Sequence, residues 1–153
     1  MFSFLTNLFR FKKIYWIIQE GSGILLYKKN GQNSIQDNYV GELLSAFYSL
    51  SHFIFRTALQ SIKIDNFKLN IIRRRKLFFV SICPGRMKRQ KIVRRLFTIA
   101  TYFCSLYSEE EIENWDHNIM KFHNFDKEVK IHKAQIIGDF INKLWTHDVV
   151  TVN

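Results

Sequence analysis

Residues 68–107 read KLNIIRRRKLFFVSICPGRMKRQKIVRRLFTIATYFCSLY, and the remainder of the chain can be placed against them. An apolar run at 69–72 meets four cations, Arg73, Arg74, Arg75 and Lys76, and a second apolar run follows at 77–83. Pro84 and Gly85 end that run, and an amphipathic pattern begins near Met87. The pattern predicts strand, turn, strand, turn, helix, with Arg74 and Arg75 at the hairpin tip. Two strands this apolar belong in the middle of a sheet covered on both faces. In the helix over 87–107, the expected core stripe is Ile92, Val93, Leu96, Phe97, Ala100, Phe103, Cys104 and Tyr107.

Upstream, IYWIIQ at 14–19 and ILLYK at 24–28 flank EGSG and predict a β-hairpin. No third glycine follows Gly23 and a strand lies behind it, so this is a turn and not a nucleotide-binding loop. After a loop at 29–34, Asp37 or Asn38 is placed to cap a helix. Its core face is expected to be Val40, Leu43, Leu44, Phe47, Leu50, Ile54 and Ala58. Tyr48, Phe53 and Phe55 make that helix apolar beyond this stripe, with His52 among them, so Tyr48, His52, Phe53 and Phe55 are the candidate partner-binding residues. SIKID at 61–65 alternates in polarity like an edge strand, with a turn at Asn66 and Phe67.

Downstream, Glu109, Glu110, Glu111 and Glu113 form an acidic patch that can pair with the basic stretch. A connection anchored by Trp115, Phe122 and Phe125 leads to a last helix. Asp126 caps that helix, and Val129, Ile136, Ile137, Phe140, Ile141 and Leu144 repeat along it. The element order is ββ-α-βββ-α-α. It predicts an α+β fold, a five-stranded antiparallel sheet sandwiched by helices. Residues 1–12 are an N-terminal extension, 13–147 the domain and 148–153 a tail.

The net charge of +10 is unevenly spread. Residues 63–95 hold twelve basic residues and one acid, a local charge of +11, so the other 120 residues sum to −1. Such a field suits an anionic partner, whether nucleic acid, a lipid surface or an acidic protein face. Its bland counterpart is a solvated face that keeps the chain soluble. The candidate anion-binding residues are Arg73, Arg74, Arg75, Lys76, Arg86, Lys88, Arg89, Lys91, Arg94 and Arg95. The last five crowd the first turns of a helix, where the dipole prefers anions; a bound anion would offset that mismatch.

The segment MFSFLTNLFRFKK places Phe2, Leu5, Leu8 and Phe9 at helical spacing, widened by Phe4 and Phe11 and closed by Arg10, Lys12 and Lys13. It is too short to span a bilayer, and it lacks the basic start and small-residue cleavage site of a signal peptide. These nine residues are the candidate membrane-binding set, as an interfacial helix. The competing reading packs the segment on protein.

Chemistry is sparse. Cys83 and Cys104 fall on expected core positions without CxxC spacing, which predicts buried free thiols in a reducing, cytoplasmic setting; the peripheral membrane contact expected beside it rests on the N-terminal segment and the basic charge. Asp116, His117, His123 and His132 match neither zinc spacing nor a helical HxxxH pair, so no metal is expected. No G-x-S-x-G, Cys–His signature or Walker A sequence occurs. The chain reads as a non-enzyme without a cofactor. Phe78 and Phe79 are expected on opposite faces of the buried strand, and no RNP, KH or helix-turn-helix pattern accompanies the basic residues.

The order of elements resembles the longin (profilin-like) fold of membrane-trafficking proteins and their archaeal relatives. The segments that carry the resemblance are IYWIIQEGSGILLY, DNYVGELLSAFYSLS, KLNIIRRRKLFFVSIC and ENWDHNIMKFHNF, and the resemblance covers about residues 13–146. The likeness is one of apolar spacing. It implies a non-catalytic interaction module that binds a small GTPase or another longin/roadblock-type subunit through the first helix or the sheet edge. Longin–longin pairing makes a homodimer one of the implied assemblies. The extra N-terminal residues and the basic charge depart from the pattern, and both suit recruitment to anionic membranes. The alternative function is nucleic-acid binding through residues 63–95.

Overall fold

A computed structural model of the chain describes residues 14–29, 36–125 and 127. The chain divides into two compact units, Met1–His117 and Asn118–Asn153. In the first unit, strands β1 (Ile14–Gln19) and β2 (Leu25–Lys29) precede helix α1 (Gln36–Phe55). Strands β3 (Ser61–Ile64), β4 (Phe67–Arg74) and β5 (Leu77–Pro84) follow, then helices α2 (Arg89–Leu106) and α3 (Glu109–Glu113). In the second unit, a 3-10 helix spans Ile119–Phe122, and Phe122 and Phe125 are buried.

The fold is α+β, built on one five-stranded antiparallel sheet in the order β2-β1-β5-β4-β3. The expected central strand is central. β5 pairs with β1 on one side and β4 on the other, and Leu77, Phe78, Phe79, Val80, Ser81 and Cys83 are all buried along it. The short strand β3 is an edge, as its alternating polarity predicts.

Alternation along β5 sends Phe78 and Phe79 to opposite faces. On the Phe78 face, Ile18, Leu69, Ile71 and Val80 form a core with Leu44 of α1, and Tyr48 lies 4.7 Å from the Phe78 ring. On the other face, Phe79 meets Phe103 of α2 edge-on at 6.1 Å, and Phe103 packs on Tyr107 at 4.7 Å. The two long helices therefore cover opposite faces of the sheet. Of the expected α2 stripe, Ile92, Leu96, Ala100, Phe103 and Cys104 are buried, but Phe97 is exposed.

The turns differ from expectation by about one residue. The β4–β5 tip is Arg75 and Lys76, not Arg74 and Arg75, and both have left-handed φ values of 50° and 56°. This matches the two-residue hairpin class whose backbone twist suits the strands, although Asn-Gly would adopt it with less strain. Between β3 and β4 the turn is Asp65 and Asn66, with φ 50° at Asp65; Phe67 already belongs to β4.

Helix α1 departs most. Asp37 and Asn38 lie inside its first turn, and it stops at Phe55, so Ala58 is outside. The stop is made by Arg56 at φ 55°, whose N–H donates to the His52 carbonyl at 3.1 Å. The face toward the sheet is Val40, Leu44 and Tyr48 with Gly41 and Ser45, while Leu43, Phe47, Leu50 and Ile54 point outward. Small residues set this choice. A Cβ on Gly41 would run into the Gly23 carbonyl oxygen of the β1–β2 turn, so the glycine admits a close crossing that an outward Gly41 would forfeit. The expected last helix from Asp126, the segment 1–13 and the tail 148–153 lie outside the described residues.

Candidate interaction surfaces

The first candidate surface is the outward side of α1. Leu43 is 54% exposed and Leu50 51%, against 4% for Leu44 one position from Leu43. Tyr39, Phe47, Ile54 and Phe55 are also exposed, and Phe53 reaches 76%. A helix apolar on both sides, with one side in water, carries more exposed apolar surface than a monomer's scattered leucines explain. Of the four residues assigned to partner binding, His52, Phe53 and Phe55 are exposed and Tyr48 turns inward onto Phe78. Counting apolar residues alone hid the outward set Leu43, Phe47, Leu50 and Ile54; Gly41 and Ser45, four residues apart, were the signal for the inward face. Beside this surface lies an open depression of about 580 Å³, lined in part by Glu20, Tyr48, His52, Phe53 and Arg56.

The second candidate is the basic stretch, and the fold splits it in two. Around the hairpin tip the four consecutive cations all make contacts within the chain. Arg73 Nε donates to Glu20 Oε2 at 2.6 Å, and Arg74 Nη1 donates to Thr101 Oγ1 at 2.9 Å. Arg75 Nη1 donates to the Cys104 carbonyl at 2.9 Å, satisfying an end-of-helix acceptor of α2. Lys76 Nζ lies 2.7 Å from Glu113 Oε1 of the acidic helix, which holds its ammonium pKa above the ordinary value. Helix α3 is itself fixed by a capping box in which Ser108 and Glu111 exchange side-chain and backbone bonds. Glu113 of the acidic patch thus pairs with the tip inside one molecule.

The rest of the basic stretch lies at the start of α2. Arg86, Lys88, Lys91 and Arg94 are exposed, while Arg89 and Arg95 are half-buried. Lys88 occupies the N-cap in an extended conformation with no side-chain capping bond, and the first turn holds no acid. A pocket of about 430 Å³ adjoins this end, lined by Lys63, Asp65, Asn66, Phe67, Pro84, Gly85 and Arg86. The Gly85 N–H donates to the Asn66 carbonyl at 2.8 Å and ties the pocket walls together. Arg95 reaches inward to the Tyr15 hydroxyl. Burial raises the Tyr15 pKa, and the guanidinium only partly offsets it.

Both thiols are free and buried, as their positions predict. Burial raises the pKa of each; Asn70 Nδ2, donating to Cys83 Sγ at 3.3 Å, and the arginines near Cys104 pull the other way. Neither has the lowered pKa that marks a nucleophilic cysteine. Asp116, His117 and His123 are exposed, and the His117 ring stacks edge-on to Trp115 at 5.2 Å. Among the described residues no three His, Cys, Asp or Glu side chains gather as a metal site would require, and His132 lies outside them. No helix among the described residues is long and apolar enough to cross a membrane. The membrane-binding set Phe2 to Lys13 is outside the described residues.

No family model matches this chain, and no curated protein matches it significantly.

Proposed function

We propose that this chain is a non-catalytic interaction module of the membrane-trafficking type, related to longin domains. In this reading it binds a small GTPase or a longin/roadblock-type subunit through the outward side of α1. The observation that carries the reading is that apolar side, exposed along a helix whose opposite side is already committed to the sheet. The order ββαβββα through α2, with long helices on both sheet faces, supports the kinship. The cations at the start of α2 and the segment 1–13 would hold the module at an anionic membrane, where each nearby Lys or Arg contributes about 1 kcal/mol. Pull-down against small GTPases, with liposome flotation with and without residues 1–13, tests it. Capture that Phe53→Glu abolishes is expected; no capture and no flotation would remove the reading.

Nucleic-acid binding is the second reading. It is favoured by Arg86, Lys88, Lys91 and Arg94, exposed around an uncapped helix start. It predicts affinity for DNA or RNA that falls steeply with salt. Binding that is absent or indifferent to salt would exclude it.

A further inference from the structure

The four cations of the hairpin tip are engaged inside the chain, but two cations of the same basic stretch are not. Among the described residues, neither the Lys63 nor the Arg86 side chain has an ion-pair or hydrogen-bond partner. Both line the cavity of about 430 Å³ at the end of the sheet. The other walls of that cavity are unlike the rest of the basic surface. Phe67 stands there 40% exposed, Pro84 adds a second apolar wall, and Asp65 contributes a carboxylate. Asn66 Nδ2 donates to Asp65 Oδ2 at 3.3 Å, which leaves the second carboxylate oxygen open.

These walls are held by backbone. Phe67 pairs with Ile64 on β3 and with Pro84 on β5. The Gly85 N–H donates to the Asn66 carbonyl at 2.8 Å, and the Met87 N–H closes the next turn on the Pro84 carbonyl at 3.0 Å. Strand ends and two bonded turns therefore fix the groups that face the cavity, as a binding site requires.

The volume falls within the ~300–1,000 Å³ of small-molecule sites. Two unpaired cations select an anion. The exposed ring and the proline beside it offer nothing to a bare phosphate or a polyol; they fit a flat apolar group, which stacks on an aromatic face. The open carboxylate oxygen accepts from an amino or hydroxyl group. Two cations against one carboxylate suit a single phosphate group. We infer that this cavity binds a nucleoside monophosphate, free or as one unit of a single strand. The phosphate lies on Lys63 and Arg86, the base against Phe67 and Pro84, and an amino group or ribose hydroxyl donates to Asp65. As a unit of a strand the ligand rests on the nucleic-acid reading above; as a free nucleotide it does not. A duplex is ruled out as the source, because a paired base keeps its faces stacked within the helix and cannot lie on Phe67.

The test is isothermal titration calorimetry of the full chain with adenosine monophosphate, adenosine and inorganic phosphate in turn. The monophosphate should bind with a Kd on the order of 10–100 μM, the level that ordinary ligand efficiency gives a molecule of its size, and the other two at least about tenfold more weakly. Lys63→Gln and Arg86→Gln should each weaken the monophosphate by about tenfold. Phe67→Ala should weaken it by about 10- to 100-fold while Phe67→Trp retains it, since stacking needs a ring and not that ring alone. Circular dichroism checks that each variant is folded; should Phe67→Ala unfold, Lys63→Gln and Arg86→Gln, both at exposed positions, decide the matter. A single strand of about ten nucleotides that binds more tightly than the monophosphate, and loses that advantage with Phe67→Ala, makes nucleic acid the source; a strand no tighter makes it the free nucleotide. Either result supports the site. Inorganic phosphate that binds as tightly as the monophosphate overturns it, as does monophosphate binding that is absent at about 1 mM or indifferent to Phe67→Ala or to both glutamine variants. Salt-sensitive binding of the strand that ignores all three substitutions overturns the cavity and leaves the nucleic-acid reading standing.

Discussion

Replacing Gly41 by alanine gives two expectations of opposite sign. In the middle of an exposed helix face, Gly→Ala stabilises by about 1 kcal/mol, because glycine loses more backbone freedom on folding. Position 41, however, is where α1 crosses the β1–β2 turn. The added Cβ would strike the Gly23 carbonyl oxygen, with the Ile18 Cγ2 also near at 3.3 Å. A backbone carbonyl cannot rotate away as a side chain can, so the helix must lift. Lifting loosens Leu44 and Tyr48 against Phe78 and Val80, and overpacking of this kind costs about 1–3 kcal/mol. Subtracting the propensity gain leaves a net loss of up to about 2 kcal/mol, or as much as about 4–8 °C in Tm for a chain of this size. The assay is urea denaturation followed by circular dichroism, with Ser49→Ala on the exposed side as the control that keeps only the propensity gain. If Gly41→Ala raises stability as Ser49→Ala does, Gly41 is not at a close crossing and the assignment of the two α1 faces is wrong.

Other consequences follow from the same packing. Phe79→Ala should cost about 3–5 kcal/mol by chemical denaturation, since a fully buried ring leaves a cavity opposite Phe103, while Phe53→Ala should change stability by less than about 0.5 kcal/mol. Stability should fall as pH rises above the ordinary thiol value of 9.0. The folded-state pKa values of Cys83, Cys104 and Tyr15 are all raised, so the unfolded chain loses those protons first; thermal melts at pH 8 and pH 10 would reveal it, and equal Tm values would contradict it. Neither thiol should react with a disulfide reagent in the native protein at pH 8, and both should react in denaturant. Lys76→Gly should raise Tm by a few degrees, since glycine takes the left-handed turn position without strain and the lost contact to Glu113 is exposed.

The layered part of the fold was legible because its signals are local. The run from Leu77 to Cys83 has no polar residue except Ser81, which marks a strand covered on both faces, and the structure places it third of five. The separation of Phe78 from Phe79 follows from the pleat alone. The two cysteines sat among core residues and are buried. What misled was amphipathicity on α1, where apolar residues occupy both sides and outnumber the exposed polar residues Glu42, Ser49 and His52. The inward face was written instead in its small residues, Gly41 and Ser45, whose meaning depends on Gly23, a turn residue eighteen positions earlier. Phe97 fell into the α2 stripe by spacing yet is exposed, and nothing in its neighbours explains why a phenylalanine stands there. The tip cations were legible as a charge run but not as a set of internal contacts. Their partners Glu20, Thr101, Cys104 and Glu113 come together only through the sheet and α2. Only the cations at the start of α2 keep the open character that the sequence suggests for the whole stretch.

Which side of α1 meets water can be read directly from methyl resonances of Leu43, Leu44, Leu50 and Ile54 in the presence of a soluble paramagnetic agent. In dilute protein, Leu43, Leu50 and Ile54 should broaden strongly while Leu44 stays sharp, and the three should regain protection as a partner that covers them is added. Broadening of Leu44 with Leu43 and Leu50 untouched would mean that the docking surface described here is the core, and the account built on it would fail.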